Sequence, residues 1–271
     1  MSSDALKRHR VEPGEVVDLA ERPTSGKGWG IDKDSAESEF KELRQELIEW
    51  QARWYADGHR KLLIVLQAMD AGGKDGTISS IFRGVNPQGV QVTAFKAPTR
   101  EELSHDFLWR IHRAVPPNGM WGIFNRSHYE DVLIVRVDQL APESIWRARY
   151  EQINQFEKLL SETGTTILKF YLHISKDEQR QRFQERVDDP AKHWKFSLED
   201  LAKRRQWDDY TAAYAEMLTH CSTPLAPWHI IPANHNWYRD LAVTRILVET
   251  LRQLNPQYPA GKADLMGLIV E

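Results

Sequence analysis

The chain has a single cysteine, Cys221, among its 271 residues, so no internal disulfide can form and no cysteine-rich metal site is available. It has no apolar run long enough to span a membrane, and its first residues lack the apolar core of a secretion signal. A cytoplasmic location with no membrane partner is therefore expected. It also has little net charge, −3 from 36 basic and 39 acidic residues. That balance, without any base-reading motif, gives no reason to expect nucleic acid as a partner. If the ligand is a polyanion, the basic residues must be concentrated at one place. Internal repeats and low-complexity segments are absent too. What remains is an ordinary globular composition, 41% hydrophobic and 28% charged, expected to form one domain over 1–271.

The most informative segment is Ala68-Met69-Asp70-Ala71-Gly72-Gly73-Lys74-Asp75-Gly76-Thr77, directly after the apolar run Leu62–Leu66. A buried strand that runs into a glycine-rich turn, a lysine and a helix builds a phosphate cradle. Backbone N–H groups converge there, the helix presents its positive end, and the lysine adds a full charge. The fit to G-x-x-x-x-G-K-[ST] is partial: Ala68 replaces the first glycine and Asp75 replaces the metal-holding Ser or Thr. Asp70 adds a carboxylate inside the loop. A carboxylate beside phosphate is repulsive unless a cation lies between, so Asp70 with Lys74 points to a metal–phosphate site.

Residues 1–33 read as an irregular arm, anchored through Trp29. A long helix follows, with Asp34 and Glu37 as a capping pair. Phe40, Leu43, Leu47, Trp50 and Trp54 form its apolar stripe, and Gly58 ends it, so arm and helix occupy 1–58. Beyond Lys61, strand-like runs at 62–66, 90–95, 122–124, 165–174 and 229–231 alternate with helical stretches. Those stretches lie near 77–84, 100–115, 129–136, 143–162, 176–188, 198–220 and 237–254. This alternation predicts an α/β fold with a parallel sheet flanked by helices, with ligands at the carboxyl ends of the strands.

The residues just after each strand are therefore the candidates. Lys96 and Arg100 follow the second strand and share a rim with Lys74. Arg110 and Arg113 share a helical face that serves either solvent or substrate. Arg126, after the third strand, offers a planar fork suited to phosphate. Asn125 stands where many P-loop enzymes place a metal-binding acid, with Glu130 and Asp131 a turn further on. His128, Glu130 and Asp131 lack the spacing of a zinc helix. After the fourth strand, Arg182 and Arg186 lie four apart in a charge-dense helix–loop–helix. Over 176–210 it forms a lid able to close on phosphates and exclude water.

In this order the segments resemble the type 2 polyphosphate kinases. The matching residues are Met69–Gly76, Gly84-Val85-Asn86-Pro87, Phe95-Lys96-Ala97-Pro98-Thr99, Asp106–His112, Phe124–Asp131 and Trp194-Lys195-Phe196-Ser197. The similarity runs from about residue 35 to residue 255. It implies a P-loop kinase fold similar to thymidylate kinase, with a helical lid. It also implies Mg²⁺-dependent transfer between inorganic polyphosphate and adenine nucleotides, with guanine nucleotides as further acceptors, and a homo-oligomer, dimer or tetramer. On that resemblance the catalytic residues are Asp70, Lys74 and Arg126. The phosphate contacts are Ala71, Gly72, Gly73, Lys74, Asp75, Gly76, Thr77, Lys96 and Arg113. The lid arginines are Arg182 and Arg186, and the metal ligands Asp70 and Asp131. The Phe-Asn-Arg-Ser form at 124–127 is similar to the subgroup that phosphorylates both nucleoside mono- and diphosphates. Two other readings fit a P-loop: an ATP-dependent nucleoside monophosphate kinase, and a non-catalytic nucleotide-binding regulator.

Overall fold

Each of the five apolar runs becomes a strand. In the computed structural model, which describes residues 2–261, the strands are β1 (Lys61–Ala68), β2 (Val90–Ala94), β3 (Trp121–Asn125), β4 (Thr165–His173) and β5 (Trp228–Pro232). They form a parallel sheet in the order β2-β3-β1-β4-β5. Strands covered on both faces read as unbroken apolar runs, and Leu62 to Leu66 of the central strand are fully buried. Leu66 pairs with Asn125 and with Phe170, which brings the carboxyl ends of β1, β3 and β4 to one level.

In chain order the helices are α1 (Ser2–Lys7), α2 (Lys33–Asp57), α3 (Lys74–Ile81), α4 (Arg100–Leu103), α5 (Trp109–His112), α6 (Ile134–Val137) and α7 (Glu143–Glu162), then α8 (Lys176–Asp188), α9 (Leu198–Arg205), α10 (Trp207–Cys221) and α11 (Asn236–Leu254). The last of them packs against α1, α2 and α3, whereas α7 packs against α6, α10 and β4. Among the described residues, no helix is long and apolar enough to cross a membrane.

The structure departs from the sequence expectations at several helix ends. The cap of α2 is Asp32, which accepts from Ser35 N–H at 2.9 Å, so Asp34 already lies inside the helix. Gly58 ends it in the left-handed region at φ 69°. The stretch 100–115 is two short helices separated at 104–108. Thr99 and Glu102 close a capping box on α4, and Asp106 accepts from Leu108 N–H before α5 begins. The stretch 198–220 also divides, at Gln206.

The N-terminal arm is more ordered than its composition suggests. Beyond α1, Val11 N–H donates to the Trp228 carbonyl at 2.9 Å and Ile230 N–H to the His9 carbonyl at 2.8 Å. The arm thus covers the outer edge of β5, one of the ways a sheet avoids an open edge. Trp29 does anchor it, stacked on Tyr238 with ring centroids 5.6 Å apart.

Candidate active site

The turn after β1 is shaped by two glycines. Gly72 N–H donates to the Met69 carbonyl at 2.9 Å. A Cβ at Gly72 would lie 2.5 Å from the Ala68 Cβ and 2.7 Å from the Met69 oxygen, so no side chain fits. Gly73 sits at φ +100°, where a Cβ would also come within 2.4 Å of Arg239 Nη1. Gly72→Ala is therefore expected to displace the loop backbone and weaken phosphate binding at least tenfold, about 1.4 kcal/mol. Titration of the folded variant with tripolyphosphate measures this, and an unchanged affinity would contradict the steric argument.

Ala71 at φ 59° and Arg126 at φ 63° occupy the left-handed region without being glycine, each costing roughly 1–2 kcal/mol. Such strain persists where the surroundings over-determine it, and it clusters at functional sites. The Arg126 backbone is held by its N–H to the Leu66 carbonyl at 3.1 Å.

The loop carboxylates are both tied to the end of β3. Arg126 Nη2 meets Asp70 Oδ1 at 2.9 Å, and Asn125 Nδ2 donates to Asp75 Oδ1 at 2.6 Å. Lys74 folds back over its own loop, donating from Nζ to the Ala68 carbonyl at 2.9 Å. Burial and the Arg126 charge bring the Lys74 ammonium down to about 8, against the opposing pull of Asp70, Glu130 and Asp75. Burial works against the charge on Arg126, but Glu130 and Asp70 prevail and raise its pKa.

Helix α8 is fastened directly to the loop. Arg182 donates to the carbonyls of Ala71 at 2.9 Å and Ala233 at 2.6 Å, and to Glu178 at 2.7 Å. Gln179 Nε2 donates to the Asp70 carbonyl at 2.9 Å. Arg186 reaches the Lys195 carbonyl at 3.0 Å on the far side of the lid turn.

These elements enclose a cleft of about 580 Å³. Lys74, Lys96, Arg126, Arg182, Arg186, Lys192, Lys195 and Arg239 line it, against four carboxylates, Asp70, Asp75, Glu185 and Asp200. An eight-to-four excess of cations, in a chain whose net charge is −3, is the local concentration that a polyanion requires. A second, smaller cavity adjoins it and shares Asp70 and Arg126. Its walls include Met69, Trp207, Tyr210 and Tyr214, with Lys203 and Glu130. Buried Gln67 holds Glu130 from behind, Nε2 to Oε1 at 2.9 Å.

Most of the candidates from the sequence meet in the cleft: Asp70 to Gly76, Lys96, Arg126, Arg182 and Arg186. Three do not. Thr77 is fully buried, and its hydroxyl is engaged by the Gly73 carbonyl at 3.0 Å. Arg113 lies over the Trp109 ring at 4.6 Å, in a separate groove with Asp106 and His112. Asp131 is paired with Arg149 at 3.0 Å and lines neither the cleft nor the adjoining cavity. Burial pushes its carboxyl up to about 6, with Arg149 opposing. The sequence reading also missed Arg239. This side chain is almost wholly buried, fixed by Asp240 at 2.7 Å and Asn236 at 2.7 Å, yet it reaches the loop. The signal lay in the polar Asn236-Trp237-Tyr238-Arg239-Asp240 segment that follows the last strand.

A glycine-rich loop at the end of the central strand, a basic cleft and an arginine-bearing helix over them define a P-loop protein of the kinase type. The family model described as polyphosphate kinase 2 matches residues 30–259, and the chain belongs to that family. It is 51% identical over 267 residues to the AMP/ADP-polyphosphate phosphotransferase of Meiothermus ruber, covering 98% of this chain and 100% of that one. It is 43% identical over 265 residues to the ADP-polyphosphate phosphotransferase of Rhodopseudomonas palustris, covering 93% and 92% of the two chains. Among solved structures, polyphosphate kinase 2 from Arthrobacter aurescens TC1 superimposes with a TM-score of 0.93 at 45% identity, covering 98% of this chain and 95% of that one.

Proposed function

We propose that this chain transfers phosphoryl groups reversibly between inorganic polyphosphate and AMP or ADP. The observation that carries this reading is the basic cleft at the glycine-rich loop, lined by eight cations against four carboxylates. The long basic cleft suits a chain of phosphates. The adjoining cavity, about 30 Å³ with walls from Trp207, Tyr210 and Tyr214, has room for only one or two waters, so a nucleotide base would stack there only after α10 moves away from the loop. A terminal oxygen of the nucleotide phosphate attacks the terminal phosphorus of polyphosphate in line. A new P–O bond forms as the P–O–P bond to the remaining chain breaks, and the shortened chain leaves as a phosphate oxyanion. The attacking oxygen is already ionised near neutral pH, so no strong general base is needed. Catalysis then consists of positioning and charge neutralisation by Lys74 and Arg126, with Lys192 and Lys195 of the lid closing over the phosphates.

Among the described residues, no group of three or more His, Cys, Asp or Glu side chains is placed to hold a metal. Mg²⁺ fits such a site, because it keeps several waters and binds through one or two carboxylates plus substrate phosphates. Asp70 and Asp75, both in the loop, would hold it. When bound, it neutralises and orients phosphate oxygens. A reaction that draws on the adenylate pool accords with a cytoplasmic location, and a dimer or tetramer is the expected assembly.

The test is to supply purified protein with long-chain polyphosphate, Mg²⁺ and either AMP or ADP, without ATP. ADP and ATP are the expected products, and no product from either acceptor would overturn the reading. Acceptor choice is assigned to Asn125. Asn125→Asp replaces its hydrogen bond to Asp75 with two opposed carboxylates. It is expected to change the ratio of kcat/KM values for AMP and ADP, and an unchanged ratio would remove acceptor choice from this position.

A further inference from the structure

Directly behind the Arg126 turn lies a charged cluster that lines neither cavity. Lys169 of β4 and Glu157 of α7 are 0% and 1% exposed, with Nζ 2.5 Å from Oε2. The Lys169 ammonium also donates to the Tyr129 hydroxyl oxygen and the Cys221 carbonyl, both at 2.7 Å. The other oxygen of Glu157 accepts from the Tyr129 hydroxyl at 2.7 Å and faces His128 Nε2 at 3.1 Å. His128 and Tyr129 are themselves fully buried, and the Tyr129 ring packs edge-on against Trp228 with centroids 4.8 Å apart. Burial keeps His128 neutral, so the carboxylate selects the tautomer that carries its proton on Nε2.

Exchanging a buried ion pair for apolar side chains of similar size is often neutral or stabilising. Stability therefore gives little reason for this cluster, but its attachment points do. His128 and Tyr129 stand two and three positions after Arg126, and the Ser127 hydroxyl between them accepts from Tyr129 N–H at 3.2 Å. The one described backbone hydrogen bond of Arg126 is its N–H to the Leu66 carbonyl at 3.1 Å, so its left-handed turn also depends on what fixes the following residues. The cluster ties those residues to a central strand and to the longest helix packed on it.

We propose that Glu157 and Lys169 are positioning residues for phosphoryl transfer, acting through His128 and Tyr129 to hold Arg126 at its working geometry. The proposal rests on the assignment of Arg126 to charge neutralisation made above.

The test is a double-mutant cycle between the cluster and Arg126, read as kcat for polyphosphate-dependent ADP phosphorylation. E157L/K169M removes both charges together, so neither is stranded. In the folded variant, kcat is expected to fall at least about tenfold with a smaller change in KM for polyphosphate, as for a catalytic group misplaced by a fraction of an ångström. E157Q/K169M keeps an acceptor for His128 and Tyr129 and is expected to recover most of the loss. On an R126A background, the same core change is expected to cost nothing further. A folded E157L/K169M with kcat within about twofold of the parent, or an equal loss on top of R126A, would overturn the proposal. Should E157L/K169M not fold, Tyr129→Phe cuts the hydroxyl link alone. Its loss must vanish in R126A, and a loss that persists would overturn the proposal. The two assignments separate cleanly. Near-normal turnover in R126A removes the role of Arg126 and this proposal with it, whereas an impaired R126A beside an active E157L/K169M removes only the positioning role.

Discussion

Lys74→Ala is expected to abolish phosphoryl transfer while leaving the fold intact. Its one described hydrogen bond is to the Ala68 carbonyl of its own loop, so little packing depends on it. Its charge sits where the loop, Asp70 and Arg126 converge. Losing one such preorganised donor costs about 10²–10³ in kcat, roughly 3–4 kcal/mol of transition-state stabilisation. Asp70→Asn is expected to fall similarly, because the carboxylate that faces Arg126 at 2.9 Å loses its charge. Turnover from polyphosphate and ADP, with circular dichroism to verify folding, measures both. Activity within about tenfold of the parent in either variant would remove that residue from the catalytic set. The lysine also sets a pH dependence. Its ammonium has a pKa of about 8 in the free protein, so kcat/KM is expected to decline as pH rises through that value. Bound phosphate favours the charged form, so the decline under saturating polyphosphate is expected at higher pH.

The second large effect is on stability. Lys169→Met alone removes the cation from a carboxylate that is 1% exposed. Breaking one side of a buried pair costs about 3–5 kcal/mol, since the remaining charge is left uncompensated. For a chain of this length that corresponds to a fall in Tm of roughly 10 °C. E157L/K169M, with both charges gone, is expected to melt closer to the parent. A single variant that melts with the parent would show that Glu157 is sufficiently held by His128 and Tyr129.

The sheet was legible because a parallel strand buried on both faces leaves an unbroken apolar run, and Leu62 to Leu66 is such a run. The loop was legible because Gly72 and Gly73 are demanded locally, by Ala68, Met69 and a positive φ. What was not legible depends on partners distant in sequence. Arg113 and Asp131 look equivalent to Arg126 and Asp70 as charges after a strand. Only folding reveals that Trp109 and Arg149 take them out of the cleft. Arg239 is the converse, a charge in the first turns of α11 whose end lies beside Gly73, more than 160 positions away in sequence. The division of 100–115 was encoded locally, at Asp106, but a period of apolar residues does not register side-chain caps.

The attachment of Arg182 to both Ala71 and Ala233 also decides how the cover over the cleft can swing. A helix riveted at its base to the phosphate loop and to the end of β5 cannot rise as a whole without breaking those bonds. The proposed lid would therefore bend beyond α8, near the Asp189-Pro190 break. In the proposed closure Lys192 and Lys195, beyond that break, are the travelling charges, and Arg182 and Arg186 stay in place with α8 as part of the doorframe.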